Sequence, residues 1–208
     1  MAPMPLQNRV TPWGEIVATP ARGTFMGNRG GALHNHEREI VRQYASRRWI
    51  ACVLEFGGRR RVVMSPNRYT ELFFLDEAVA LAAGHRPCAE CRRVRFNALK
   101  QAWPGAGNFL LADAIDRELH QARIGPRKAK VTYSAPLNSL PDGCFVQIDG
   151  AGYIVWGDAL FQWSPFGYVA KHPRGNLESV EVLTPEPLVR CLGNGYTPEI
   201  HPTARALS

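Results

Sequence analysis

Residues 84–93 read GHRPCAECRR. Two cysteines stand two positions apart behind a proline, with arginines crowded around both. A Cys-x-x-Cys turn puts two thiols on one side of a tight bend, where backbone N–H groups face the sulfurs. Neighbouring arginines and the N-terminus of a following helix favour the thiolate form. Such a pair suits half of a zinc site completed by ligands from elsewhere in the chain. Just upstream, residues 71–75 read as a short strand, and Asp76 is placed to cap a helix over 77–83. Gly84 ends that helix and Pro87 seals it.

Other chemistries share the motif and are separated by their partners. Zinc deaminases carry Pro-Cys-x-x-Cys downstream of His-x-Glu. Here the residues two after His34, His36 and His85 are His36, Arg38 and Pro87, so the proton-shuttling glutamate is missing. A thioredoxin-like pair sits at the end of a strand in a βαβ unit, whereas this pair follows a helix, a glycine and a proline. The metal-free alternative makes the pair a structural turn and Cys52 a small buried hydrophobe.

The longer stretch ELFFLDEAVALAAGHRPCAEC, residues 71–91, resembles the metal-binding module of Ada-type DNA repair proteins. That module has an aromatic strand, a short alanine-rich helix and a Gly-x-Arg-Pro-Cys-x-x-Cys core. The resemblance implies a small zinc-holding, DNA-binding unit in which four cysteines hold the metal. One of them, from an upstream pair, accepts a methyl group from a DNA phosphotriester. The family's upstream pair falls where this chain reads RVVMSPNRYT (61–70), without a cysteine, and His85 replaces the usual aromatic. Methyl-accepting chemistry is therefore not expected. Cys88 and Cys91 carry over as zinc ligands; Cys52, His85, His34, His36 and His120 are the residues available to complete the site. The whole chain also resembles an uncharacterised bacterial family, which implies no activity.

The chain has 208 residues, 45% hydrophobic and 21% charged, enough to bury a core without disulfide staples. Five cysteines form an odd set with no regular framework, which argues against a disulfide scaffold. The start, MAPMPLQNRV, lacks a signal-peptide pattern, and the longest apolar run, 78–83, is too short to cross a bilayer. A cytoplasmic protein with reduced thiols, and no membrane partner, is the expectation. Net charge is +7, yet residues 1–130 hold 21 of the 25 Lys/Arg and 11 of the 18 Asp/Glu. Basic clusters gain from counterion release on phosphate backbones. The clusters are Arg47 and Arg48; Arg59, Arg60 and Arg61; Arg92, Arg93 and Arg95; and Arg127, Lys128 and Lys130. They favour a nucleic-acid partner, DNA first, although an ordinary solvated surface has the same composition.

Along the chain the expectation is an α+β protein: a small zinc-knuckle α/β unit followed by a small antiparallel β-rich unit with a C-terminal helix. Residues 1–31, rich in Pro, Gly and Arg, read as an extended arm; 32–130 form the basic Ada-like unit, and 131–208 the β-rich one, with a boundary near 125–138. Runs at 49–56 and 61–64 flank Gly57-Gly58 as a hairpin. Helices are predicted over about 90–103 and 109–123, the latter with Leu111, Ile115, Leu119 and Ala122 on an apolar face. Strand-like runs follow at 145–148, 153–156, 160–163 and 180–183. Thr184 and Pro185 then open a short helix that ends at 193–195. Cys144 and Cys191 read as core thiols.

Further patterns allow catalysis as well as structure. LHNHE (33–37) spells HNH, but nucleases of that name spread these residues over a whole ββα unit, so the string is coincidence; His34 and His36 could still ligate a metal from one strand face. Asp113, Asp116 and His120 fall at i, i+3 and i+7, a cluster that could bind a divalent ion or activate water. A solvated helix face predicts the same pattern. GNRGG (27–31) is an anion nest or a plain turn. Trp156, Trp163, Phe166 and Tyr168 are core or turn aromatics unless they form a stacking platform for single strands. The leading reading is a zinc-dependent nucleic-acid-binding protein, tied to DNA repair or regulation. The alternatives are a metal-dependent nuclease or other DNA-processing hydrolase, and a protein-interaction module with a structural Cys-x-x-Cys.

Overall fold

The computed structural model describes residues 4–58, 62–105 and 111–207. The fold is α+β, with two six-stranded sheets and short helices between and around them. The first sheet is built from β1 (Gln7–Val10), β2 (Ile16–Ala18), β3 (Phe25–Asn28), β4 (Ile50–Cys52), β5 (Leu72–Phe74) and β6 (Arg86–Pro87). Its order is β2-β1-β5-β3-β4-β6, with β1/β5 and β4/β6 parallel and the other pairs antiparallel. The segment read as an arm therefore supplies the first three strands. Pro12, Gly14, Pro20 and Gly23 lie between these strands, and Gly27 is needed within β3 because a Cβ there would lie 2.1 Å from the Ile50 carbonyl oxygen.

The hairpin expected around Gly57-Gly58 does not form among the described residues. Those glycines make a left-handed turn, but residues 62–64 are not a strand. β4 instead pairs with β3 and β6.

α1 (Glu77–Ala82) begins as the sequence indicates, with the Asp76 carboxylate accepting the Val79 N–H at 2.8 Å. Gly84 then turns the chain at φ +86°, where a Cβ would meet the Arg123 side chain at 2.6 Å. All six residues of α1 are buried. Among them is Glu77, whose carboxylate takes Arg92 and Arg95 at 3.0 Å each, the Glu199 N–H and the Tyr196 hydroxyl. Burial opposes its ionisation, but the Arg92 charge and these hydrogen bonds hold its pKa below the ordinary value.

α2 (Arg93–Ala102) and α3 (Ala112–Arg123) follow. Ile115 and Leu119 are buried as their spacing predicts, whereas Leu111 is 71% exposed because it stands at the N-cap rather than on the inner face. Residues 109 and 110, the start of the helix as predicted, lie outside the described residues.

The second sheet comprises β7 (Tyr133–Ala135), β8 (Phe145–Ile148), β9 (Ala151–Trp156), β10 (Ala159–Ser164), β11 (Gly167–Pro173) and β12 (Val180–Val182). It is antiparallel throughout, in the order β11-β10-β9-β8-β12-β7. Its strands alternate with period two between two cores. Phe145, Ile154, Phe161 and Leu183 join α1 and the first sheet in one core. Val146, Val155, Leu160 and Val182 face α2, α3 and α4 (Glu186–Gly193) in the other. Both cores thus run across the boundary expected near 125–138. Cys144 and Cys191 are buried in the second core. No described helix is long and apolar enough to cross a membrane.

Helix α3 is tied to β6 by a buried ion pair. Arg86 donates Nε and one terminal nitrogen to the two oxygens of Asp116 at 2.8 and 2.7 Å, with both side chains at most 5% exposed. Removing one partner strands a buried charge, which typically costs about 3–5 kcal/mol. Asp116→Ala is therefore expected to lower unfolding stability by about that amount in urea titration. Asp113→Ala, one turn away at the surface, should leave the urea midpoint essentially unchanged.

Candidate metal centre

The register of β4 and β6 brings the cysteines together. Ile50 lies opposite Arg86 and Ala51 opposite Pro87, so the next residues in step are Cys52 and Cys88. The Cys88 N–H donates to the Ala51 carbonyl at 2.9 Å. A turn then returns the chain, with the Arg92 N–H on the Cys88 carbonyl at 3.1 Å, and carries Cys91 back to the same point. The three Sγ atoms lie within 4.8 Å of one another. Among the described residues no other group of three His, Cys, Asp or Glu side chains comes together in this way.

Backbone amides point at the sulfurs. The Glu90 N–H donates to Cys88 Sγ at 3.4 Å, the Cys91 N–H also bonds that sulfur, and the Val53 N–H bonds Cys91 Sγ. Met26, Ile50 and Phe73 wall the cluster on its apolar side. Cys52 and Cys88 are buried and Cys91 is half-buried, so the cluster opens towards Cys91.

The three thiols share their protons unequally. A hydrogen bond from Cys52, with the Cys91 and Glu90 amides, outweighs burial and lowers Cys88 to about 5. The hydrogen bond to Cys88, together with burial, pushes Cys52 well up. Burial and the Cys88 charge raise Cys91. Of the three, the Cys88 sulfur is thus the one that the arrangement favours as thiolate.

The donor set fits a soft divalent ion. Tetrahedral zinc with Zn–S bonds of about 2.3 Å needs sulfurs about 3.8 Å apart, a spacing this cluster reaches with small side-chain movements. Zinc there would be held by Cys52, Cys88 and Cys91. None of the residues outside the described ranges is a Cys, His, Asp or Glu.

His85 does not join the site. It is fully buried between Trp49 and Phe74, with ring centroids 5.1 and 4.6 Å away, and its Nε2 accepts a hydrogen bond from Arg29 Nε at 3.3 Å. Burial and the charges of Arg29 and Arg123 hold it neutral. His34 is committed as well. Its Nδ1 meets the Thr70 hydroxyl at 2.6 Å and its Nε2 the Ser65 carbonyl at 3.2 Å, which ties two loops together. His36 is exposed and belongs to no candidate metal group.

The triad read on α3 does not converge. Asp113 lies at the surface with Arg47 at 2.9 Å and Arg48 at 3.6 Å, and Arg47 depresses its pKa. Asp116 turns inward to Arg86. His120 stacks edge-on to Tyr44, and burial with the Arg123 charge lowers its pKa.

The basic residues divide. Arg92 is 4% exposed and bound to Glu77 and Glu199, so it is a core ion-pair partner and not a phosphate contact. Arg95 leans on the same glutamates and on the Tyr196 ring. Lys130 points inward, its Nζ donating to the Ala82 carbonyl at 2.7 Å. Arg47, Arg48, Arg93, Arg127 and Lys128 are exposed. Arg59, Arg60 and Arg61 lie outside the described residues.

Buried arginines are the class that the sequence concealed. Arg29, read as part of a glycine nest, and Arg123, read as the end of a helix, are both within 2% of full burial and lie over Trp49 at 4.0 and 4.2 Å. Comparison with known proteins found no matching family model, no matching curated protein and no matching solved structure.

The unequal thiols give a direct expectation for metal-free, reduced protein. Ultraviolet thiolate absorbance should already be present at pH 7, fall away in a single step near pH 5, and be absent at neutral pH in Cys88→Ser. Equal thiols titrating only in the ordinary alkaline range would show that the hydrogen bonds do not distinguish them.

Proposed function

We propose that this chain is a zinc-thiolate protein that binds nucleic acid, DNA in the first instance. The observation that carries the reading is the convergence of Cys52, Cys88 and Cys91 from two parallel strands and a turn. Three soft sulfurs with amide donors behind them select zinc over the harder magnesium or calcium ions. The resemblance of residues 71–91 to Ada-type modules points the same way. Three protein ligands leave the fourth position of a tetrahedral ion for water or a partner's group.

Support for a nucleic-acid partner comes from the exposed basic loops. Arg47 and Arg48 lie on one loop, Arg127 and Lys128 on another, and Tyr44 spans the two: its ring centroid is 5.1 Å from that of His120 and 5.8 Å from Lys128 Nζ. Asp113 is the only carboxylate paired with either loop among the described residues. In a chain of net charge +7 this surface suits a phosphate backbone. A nuclease built on His34, Asp116 and His120 finds less support, because both His34 ring nitrogens, the Asp116 carboxylate and His120 Nδ1 are engaged in separate places.

Elemental analysis of freshly purified, reduced protein is expected to give about one zinc per chain, lost in Cys88→Ser and in Cys52→Ser. Zinc-free protein would overturn the metal reading. For the partner, duplex DNA binding should weaken steeply with salt. Substituting Arg127→Ala and Lys128→Ala together should reduce the log–log salt slope by about one per residue removed. Absence of salt-sensitive binding would leave the zinc centre in place and remove the nucleic-acid partner.

A further inference from the structure

Behind the basic loops lies a second concentration of charge, deeper and, among the described residues, without a directly paired carboxylate. A cleft of about 560 Å³ is lined by Trp13, Arg29, Trp49, Arg123, Lys128 and Lys130, with the turn at Gly14 on one side. Arg29 and Arg123 form its floor and are almost wholly buried. A buried cation is costly unless it is paired. Among the described residues, however, no carboxylate lies within ion-pair distance of Arg29, Arg123 or Lys130.

What these cations do hold is neutral. Arg29 donates to the carbonyls of Gln43 and Gly14, Arg123 to those of Gly84 and Arg47, and Lys130 to that of Ala82. Carbonyl dipoles satisfy hydrogen bonds, and the Asp116 charge offsets Arg123 only in part, so the cleft stays net positive. None of the surrounding acids is in ion-pair contact with these cations, although Asp116 acts on Arg123 from beyond that distance and Glu15 and Glu181 line the cleft. Asp116 is bound to Arg86, and Glu181 accepts from Thr132 and Gln147. Glu15 is exposed at the rim. The crowding is visible in Lys130, which burial and then Arg29 and Arg123 lower to about 7. The Nε of Arg123 is buried with no acceptor.

We propose that this cleft binds a small oxyanion of the phosphate type, taken by Lys130 with Arg29 and Arg123 supplying positive charge from behind. An ammonium carries three donors. Lys130 spends one on Ala82, which leaves two for a ligand oxygen, and Lys128 stands at the mouth of the same cleft. The recess favours a free or terminal phosphate over a duplex backbone, since the guanidinium groups lie beneath the surface. This site is independent of the zinc centre and shares only Lys128 with the basic loops proposed for DNA.

Inorganic phosphate is the probe, titrated calorimetrically into the full chain with ionic strength held constant by sodium chloride. One saturable site per chain is expected, with a rise in melting temperature that chloride alone does not give. Lys130→Met should weaken phosphate by about tenfold or more, as expected for loss of a charge-assisted hydrogen bond. Lys128→Ala, at an exposed position that does not challenge folding, should weaken it by about threefold. Non-saturable heats indistinguishable from chloride, or wild-type affinity in both variants, would overturn the proposal. A DNA-duplex arm separates the sources. Unchanged DNA affinity in phosphate-saturated protein supports a small-anion site, whereas competition at constant ionic strength would assign the cleft to a backbone phosphate and refute the small ligand.

Discussion

A two-residue parallel ladder, Ile50–Ala51 against Arg86–Pro87, is the constraint on which the candidate centre depends. The Arg86 N–H donates to the Trp49 carbonyl and the Cys88 N–H to that of Ala51, so the residue between them faces away from β4. Proline is therefore tolerated at 87, on an edge strand where no ladder donor is lost. The same ladder delivers Cys88 beside Cys52, turns the Arg86 side chain inward to Asp116 on α3, and leaves His85 inside against Trp49 and Phe74. The candidate metal ligands, helix anchoring and core packing are set by one short pairing.

Arginine organises the interior around that ladder by two different means. Arg86 and Arg92 are balanced by Asp116 and by Glu77 with Glu199, and these pairs join helices to strands and the C-terminal segment to α1. Arg29 and Arg123 are held by carbonyls, by the ring nitrogens of His85 and His120 and by the Trp49 ring, with no carboxylate in ion-pair contact among the described residues. A paired arginine specifies a contact within the fold; an unpaired cluster leaves a field that a ligand can use.

Local chemistry explains what was legible in the sequence. Asp76 before an apolar run, Gly84 after it, and the spacing of Ile115 and Leu119 are signals read within a few residues, and each is realised. The strands at 145–148 and 180–182 announce themselves by apolar runs between turn residues. The first three strands are short and interrupted by Pro and Gly, so their existence depends on partners far along the chain. Burial of Arg92 or Arg29 is likewise unreadable from composition, because an arginine looks solvated until its partner is placed. The Cys-x-x-Cys pair was legible as half a site. Cys52 could be named but not located, since its approach depends on the β4/β6 register; His85, its nearer competitor in sequence, is taken by the core.

The central claim is that three sulfurs from β4, β6 and the following turn share one zinc ion. X-ray absorption at the zinc edge, on protein purified under reducing conditions, tests it most directly. The account expects three sulfur neighbours at about 2.3 Å with one lighter atom completing the shell. A shell of oxygen and nitrogen alone would mean that zinc sits elsewhere on the surface, and would contradict the account.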